Sequence, residues 1–89
     1  MMDVIYSAHA RLDLKHLPGT VAQRIIRKIH FFSQQHNPLT FAKPLRDFAL
    51  GQYRFRVGDY RIIFDVDNRG EVHILLILRI KHRKDVYDL

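Results

Sequence analysis

The chain has 89 residues and no cysteine, and its 15 lysines and arginines outnumber its 9 aspartates and glutamates, for a formal net charge of +6. A chain of this length forms one domain, which we expect to span residues 1–89. Without cysteine, neither a disulfide framework nor a cysteine-based zinc site can stabilise it. So high a density of positive charge predicts a polyanionic partner.

Membrane and metal functions are disfavoured by the sequence. No apolar run approaches the ~20 residues that span a bilayer, and the N-terminus shows no basic segment followed by an apolar stretch. The 6 histidines lack the spacing of ligand motifs such as HExxH. We therefore expect a cytoplasmic protein that uses no membrane, no metal and no small-molecule cofactor.

The first half of the chain predicts a short strand followed by two helices. Residues 3–6 are β-prone, and Ser7 is a suitable N-cap for a short helix that ends before Pro18. Thr20 and Gln23 have the spacing of a capping box, so we predict that a second helix opens at Thr20. The apolar stripe of this second helix consists of Ala22, Ile25, Ile29 and Phe32.

The second half predicts three antiparallel strands at residues 52–57, 60–66 and 71–80, joined by short turns. Residues 36–51 contain two prolines and predict a connecting loop with a short turn. The last strand is apolar on both faces and should be interior. The sequence thus predicts an α+β domain with a short N-terminal strand, a two-helix hairpin and a three-stranded antiparallel meander, the helices packed on one face of the sheet.

Side-chain alternation separates aromatic residues from arginines in the first two of these strands. Tyr53 and Phe55 should face the helices, which leaves Arg54 and Arg56 on the opposite face, and Arg61 likewise lies opposite the apolar set of its strand. An arginine fork matches phosphate oxygens, and several cations together can stabilise charge on phosphorus. The alternative is a solvated sheet face that only keeps the protein soluble.

The last strand has an ambiguous parity. Arg79, Lys81 and Arg83 share one face by alternation, but Leu75 and Ile77 have the same parity, and a bulge would reverse the assignment. If pairing is regular, the segment from Arg79 to Arg83 can meet the arginines of the other strands on one surface.

Two motifs resemble the RelE branch of the RelE/ParE toxin superfamily. They are Tyr-Arg-Phe-Arg-Val-Gly-Asp-Tyr-Arg, beginning at Tyr53, and His-Arg-Lys-Asp-Val-Tyr, beginning at His82. The resemblance covers nearly the whole chain. It implies the toxin of a type II toxin-antitoxin system, a ribosome-dependent, metal-independent endoribonuclease that cleaves mRNA through attack by the ribose 2′-hydroxyl. Its partners would be mRNA on the ribosome and a cognate antitoxin with an acidic or amphipathic segment.

The resemblance also implies residue roles. Arg61 would contact the scissile phosphate, and Tyr87 would act as the base or orient it. Arg83 could share the developing charge with Arg61, and Lys81 falls near the leaving group, although the acid stays open between Lys81 and His82. The further predicted RNA-binding residues are Arg54, Arg56, Arg79, His82 and Lys84. The predicted antitoxin-binding residues of the second helix are Arg24, Arg27 and Lys28.

Two other functions remain open at this point. A ParE-like inhibitor of DNA gyrase would share the fold, but Arg61, Arg83 and Tyr87 together argue against it. A non-catalytic RNA-binding relative is the other alternative, and Lys81 is the best sequence argument for it.

Overall fold

The computed structural model describes residues 1–85, which form five strands and two α-helices. The α-helices are α1 (Ala8–Lys15) and α2 (Gly19–Ser33). The strands are β1 (Asp3–Tyr6), β2 (Ala42–Pro44), β3 (Tyr53–Val57), β4 (Tyr60–Arg69) and β5 (Val72–His82). Short 3₁₀ turns at Pro38–Phe41 and Arg83–Asp85 precede β2 and follow β5. The predicted α+β class is confirmed.

The strands form one sheet in the order β1-β5-β4-β3-β2. The predicted antiparallel meander is confirmed for β3, β4 and β5, but the sheet has two further strands. β1 pairs in parallel with β5, and β2 pairs antiparallel with β3 inside the segment that was expected to be a loop. A strand ending in Pro44 is possible here because β2 lies at the sheet edge, where a missing amide donor is tolerated.

The two helices begin as their local sequences dictate. The Ser7 hydroxyl caps α1 by accepting a hydrogen bond from the Ala10 amide at 3.0 Å, as predicted. α2 begins one residue earlier than expected, with Pro18 at the cap position and no side-chain cap. The predicted capping box at Thr20 is therefore wrong, because the φ of Pro18 (−53°) is already suited to starting a helix.

The helices cover one face of the sheet, and we call the opposite face the free face. The predicted α2 stripe is buried at Ile25, Ile29 and Phe32. Phe32 packs on Phe55 with ring centroids 4.5 Å apart, and Phe55 stacks on Phe64 at 4.2 Å. The aromatic parity predicted for β3 and β4 is confirmed, so the alternate residues of these strands point to the free face.

A β-bulge in β5 resolves the ambiguous parity of that strand. Ile63 pairs with Arg79 and Phe64 pairs with Ile77, so Leu78 is an extra residue without an opposite partner. Ile77 before the bulge and Ile80 after it both belong to the helix-side core. Arg79 and Lys81 therefore turn to the free face, and they do so through the bulge and not through regular pairing.

The connection from β2 to β3 lies across the middle of the free face. A Cβ built on Gly51 would come within 2.7 Å of Ile63 Cγ2 and 3.1 Å of Leu78 Cδ1. Gln52 fastens the connection, because its amide donates to Asp65 Oδ1 at 2.8 Å and its own side chain accepts from the Val66 amide at 2.9 Å. Ile63 is fully buried beneath it.

Candidate nucleic-acid interface

Three cations lie in one row across β3, β4 and β5. Arg56 is directly opposite Arg61, and Arg61 is directly opposite Lys81. Residues directly opposite on neighbouring strands share a face and have Cβ atoms about 4.5–5.5 Å apart. We call Arg56, Arg61 and Lys81 the cationic row. It brings together residues that stand 25 positions apart in the sequence, from 56 to 81.

Arg61 is the central member of the cationic row and is crowded by positive charge. Its Nη1 donates to the carbonyls of Gly58 and Tyr60, each at 3.2 Å, which directs the guanidinium toward the β3–β4 turn. Burial lowers the pKa of Arg61, and the charges of the neighbouring arginines lower it further, against a smaller opposing effect of Asp59. An anion on this surface would relieve that repulsion. The neighbouring arginines that lower the pKa are Arg56, Arg54 and Arg83.

Arg54 lies in the next row, opposite Ile63. Its Nε atom is buried and has no hydrogen-bond partner among residues 1–85. Burial lowers the pKa of Arg54, and the charge of Arg56 adds to this effect. A buried donor without a partner is a costly arrangement that a phosphate oxygen or a water molecule could satisfy.

Arg83 reaches the same end of the sheet from the 3₁₀ turn that follows β5. Its backbone amide donates to the Asp59 carbonyl at 2.7 Å, and its Nε lies 3.5 Å from Asp59 Oδ1. Both side chains are more than half exposed, so this ion pair is weak. The fold thus brings Arg83 close enough to Arg61 for its charge to act there.

His82 lies on the other side of the sheet from the cationic row. It pairs with Tyr60, which packs against the helix-side core, and the two rings meet edge to face at 5.2 Å. Its Nδ1 accepts a hydrogen bond from the Lys84 amide at 3.1 Å. Of the two candidates for the acid, the structure therefore places Lys81, and not His82, beside Arg61.

Arg79 turns to the free face, but its guanidinium is bound by α1. Its Nε and Nη2 donate to the two carboxylate oxygens of Asp13 at 2.8 and 3.1 Å. Sequence reasoning missed Asp13. Its signal is that it is the one acidic residue between Ala8 and Ser33, in a stretch otherwise rich in cations.

Tyr87, the predicted base, lies outside the described residues. Its role stays a prediction from the resemblance. Among residues 1–85, no group of three or more histidine, cysteine or carboxylate side chains is arranged to hold a metal ion. Within the same range, neither α-helix has the length and apolar character that crossing a membrane requires.

The predicted antitoxin-binding residues lie on the outer surface of α2 and are all exposed. Arg27 Nη2 lies 3.4 Å from Gln23 Oε1, and Lys28 Nζ lies 5.2 Å from the centre of the Phe31 ring. Phe31 is 48% exposed, an aromatic contribution to this surface that was not predicted. The outer face of α2 is therefore both basic and apolar.

The fold and the site together define a small α+β protein with a helix-covered sheet and a basic free face. Over residues 4–87 the chain matches the family described as the ParE toxin of the type II toxin-antitoxin system parDE, and it belongs to that family. The resemblance to the RelE/ParE superfamily is thereby confirmed, as is the prediction of a type II toxin.

Known toxins resemble this chain in sequence and in structure. Toxin RelG of Mycobacterium tuberculosis is 33% identical over 84 residues, covering 94% of this chain and 93% of that protein. Toxin RelE3 of Methanocaldococcus jannaschii is 34% identical over 91 residues, covering 98% and 97%. The crystal structure of the toxin-antitoxin complex RelBE2 from Mycobacterium tuberculosis matches with a TM-score of 0.77 at 31% identity, covering 92% of this chain and 98% of that chain.

Proposed function

We propose that this toxin is a metal-independent endoribonuclease that cleaves mRNA on the ribosome. The observation that carries the proposal is the cationic row, three cations in register on an open sheet face. Arg54 and Arg83 add positive charge beside the row. Burial is the main cause of the lowered pKa of Arg61, and the charges of these neighbouring arginines lower it further. The names of the RelE relatives point the same way.

The reaction requires RNA. The 2′-hydroxyl oxygen attacks the adjacent phosphorus while a base removes its proton, and the bond from phosphorus to the 5′-oxygen breaks as an acid protonates that oxygen. The products are a 2′,3′-cyclic phosphate and a 5′-hydroxyl, and DNA cannot react because it lacks the nucleophile. Arg61 and Arg83 stabilise the charge that develops on the phosphate oxygens. Tyr87 acts as the base.

Lys81 is the acid in this proposal. An arginine is too weak an acid because its guanidinium does not give up its proton in proteins. His82 lies on the helix side of the sheet, and its Nδ1 is already occupied by the Lys84 amide. Lys81 stands directly opposite Arg61, so one phosphate can contact both side chains.

The proposal is tested by incubating the toxin with ribosomes that carry a defined mRNA. We expect cutting that yields a 5′-hydroxyl, and loss of cutting in Arg61→Ala and Tyr87→Phe. A 2′-deoxy substitution at the cut nucleotide should abolish the reaction. Arg69→Ala is the matched control, because Arg69 pairs with Asp67 at the far end of β4 and should cut normally.

The same preparation separates the alternatives. A wild-type protein that leaves mRNA intact but blocks DNA supercoiling by gyrase would replace this proposal with the gyrase inhibitor. A protein that binds RNA tightly without cutting it would be the non-catalytic relative.

We also propose that a cognate antitoxin binds the outer face of α2 through an acidic, amphipathic segment, and that the toxin acts in the cytoplasm. The support is the exposed basic set of α2 beside the Phe31 ring. The structurally similar RelBE2 toxin is itself found in a complex with its antitoxin. The residues that would receive the acidic segment are Arg24, Arg27 and Lys28.

A further inference from the structure

Helix α1 and its cap hold β5 at three consecutive residues. The Ser7 hydroxyl donates to the Leu78 carbonyl at 2.9 Å. The Asp13 carboxylate accepts two hydrogen bonds from Arg79 and a third, at 2.9 Å, from the Ile80 amide. Leu78 is the bulge residue, so these contacts fix the strand where its two faces exchange.

The early end of β1 explains why these contacts are needed. β1 ends at Tyr6, whose partner on β5 is Ile77, so within the described part of the chain β5 beyond Ile77 has a neighbouring strand only on its β4 side. A buried polar backbone group left without a partner destabilises the folded state. Side chains from Ser7 and Asp13 bond the backbone of β5 where β1 no longer runs.

We infer that Asp13 is a positioning residue for the cleavage: by holding Arg79 and the Ile80 amide, it directs Lys81 toward Arg61. The inference rests on the proposed function, because the direction of Lys81 matters only if it and Arg61 act on one phosphate. Asp13 does so from a helix, without contact with the RNA. Misplacing a reacting group by about 1 Å can slow a reaction roughly 10²-fold.

The geometry of the ion pair suits this role. Asp13 is only 18% exposed, and Arg79 meets both of its oxygens, so the contact fixes an angle as well as a distance. The Ile80 amide bond then ties the backbone that carries Lys81 to the same carboxylate. The Arg79 side chain binds Asp13 of α1 in this arrangement, and the positioning role does not require the RNA contact predicted for Arg79.

The test is single-turnover cleavage of ribosome-bound mRNA by Asp13→Asn over a range of toxin concentrations. The amide would present a donor to Arg79 and break the two-pronged contact. We expect the maximal rate to fall roughly tenfold or more while the half-saturating concentration changes less than about twofold. Asp67→Asn is the matched control, because it breaks the exposed pair with Arg69 far from Lys81 and should change neither quantity.

The outcomes distinguish the inference from the proposed function. A wild-type protein that cuts, together with an Asp13→Asn protein of equal maximal rate, overturns the inference alone. A raised half-saturating concentration with an unchanged maximal rate also overturns it, because Arg79 would then act in RNA binding. A folded wild type that never cuts RNA removes the proposed function and the inference with it.

A second variant covers the case in which Asp13→Asn fails to fold. Arg79→Lys keeps a positive charge beside Asp13 but cannot bond both carboxylate oxygens in parallel. Arg79→Lys should lower the maximal rate in the same way as Asp13→Asn. Asp13→Glu retains the carboxylate, so it should keep part of the rate that Asp13→Asn loses. An Arg79→Lys protein with the wild-type maximal rate would overturn the inference.

Discussion

Arg61 on β4 lies directly opposite Lys81 on β5, although the pairing of the two strands is interrupted only three residues earlier at Leu78. The bulge is what brings these two cations opposite each other on the free face. Ile77 before the bulge and Ile80 after it both pack in the core, so β5 contributes side chains to the core on both sides of the bulge.

Lys81 should behave as a proton donor and not only as a positive charge. We expect Lys81→Ala to slow cleavage by about 10²–10⁴-fold, the usual contribution of a general acid. An RNA whose scissile 5′-oxygen is replaced by sulfur needs little protonation, and Lys81→Ala should cut it nearly as fast as wild type. Equal slowing on both substrates would assign Lys81 to charge stabilisation instead. Rates would be measured under single-turnover conditions.

Removing Arg56 should stabilise the free protein. Like charges directly opposite on neighbouring strands repel. Burial is the largest cause of the lowered pKa of Arg61, and the charge of Arg56 is the next largest. We expect Arg56→Gln to raise the free energy of unfolding by about 0.5 kcal/mol and to weaken RNA binding. Sulfate should stabilise wild type more than this variant, because bound anions favour the folded state. Arg69→Gln, which loses an ion pair, serves as the control in denaturant unfolding and should show no gain.

Asp13 should make stability depend on pH in the acid range. Burial raises the pKa of Asp13, but the hydrogen bonds from Arg79 and Ile80 and the charges of Arg79 and Lys81 outweigh burial, and the pKa lies below the ordinary value of 3.8. A carboxyl with a lowered folded-state pKa adds stability above its unfolded pKa and loses that contribution as pH falls through the folded value.

The advantage of wild type over Asp13→Asn should therefore be full above about pH 5 and shrink below about pH 4. Unfolding by urea at several pH values measures it. His9 and His16 line the same surface as Asp13 and are the same residues in both proteins. A difference in the free energy of unfolding that stays constant down to pH 2 would contradict a lowered pKa for Asp13 in the folded protein.

Gly51 should tolerate a side chain poorly. Alanine there would meet Ile63 Cγ2 at 2.7 Å and would have to adopt a φ of +153°. We expect Gly51→Ala to lower the free energy of unfolding by about 1–3 kcal/mol, because strain and overlap add. Gly70→Ala isolates the backbone contribution, since its φ is +61° and no atom of the described residues lies within 4 Å of the new Cβ. Equal losses in the two variants would show that the connection does not press on Ile63.

The outer face of α2 should govern antitoxin binding without affecting RNA cleavage. We expect combined replacement of Arg24, Arg27 and Lys28 by glutamine to slow association with the cognate antitoxin and to reduce its dependence on salt. Surface plasmon resonance at two salt concentrations measures both quantities. Replacement of Arg11 and Lys15 on α1 is the control of similar charge. If only the α1 variant weakens binding, the antitoxin surface lies on the other helix.

Alternation in the sequence was sufficient to place Arg54, Arg56 and Arg61 on the free face, because β3 and β4 are regular and their aromatic residues need a core. It could not place Arg79 and Lys81, since a one-residue bulge changes faces without a local signal in an apolar strand. The edge strand β2 could not be predicted from the sequence either. β2 is three residues long and ends in proline, and only its pairing with β3 defines it as a strand.

The pairing of Asp13 with Arg79 joins residues 66 positions apart, and no periodicity predicts it. The side of the sheet taken by His82 is likewise a result of the bulge, since it shares the helix side with Ile80. In both cases the deciding information is tertiary contact. The residue types of the site were readable from the sequence, whereas the choice between neighbours such as Lys81 and His82 was not.

The contacts of Ser7 and Asp13 with β5 also limit the free backbone that this strand offers to another chain. A strand whose backbone groups lack partners along one side is a template on which another chain can add a strand. Beyond Ile77, β5 would be such a template, but the Leu78 carbonyl and the Ile80 amide are already bonded by side chains from the α1 region. The basic end of the sheet can thus stay open to a polyanion while offering a second copy of the chain little backbone to pair with.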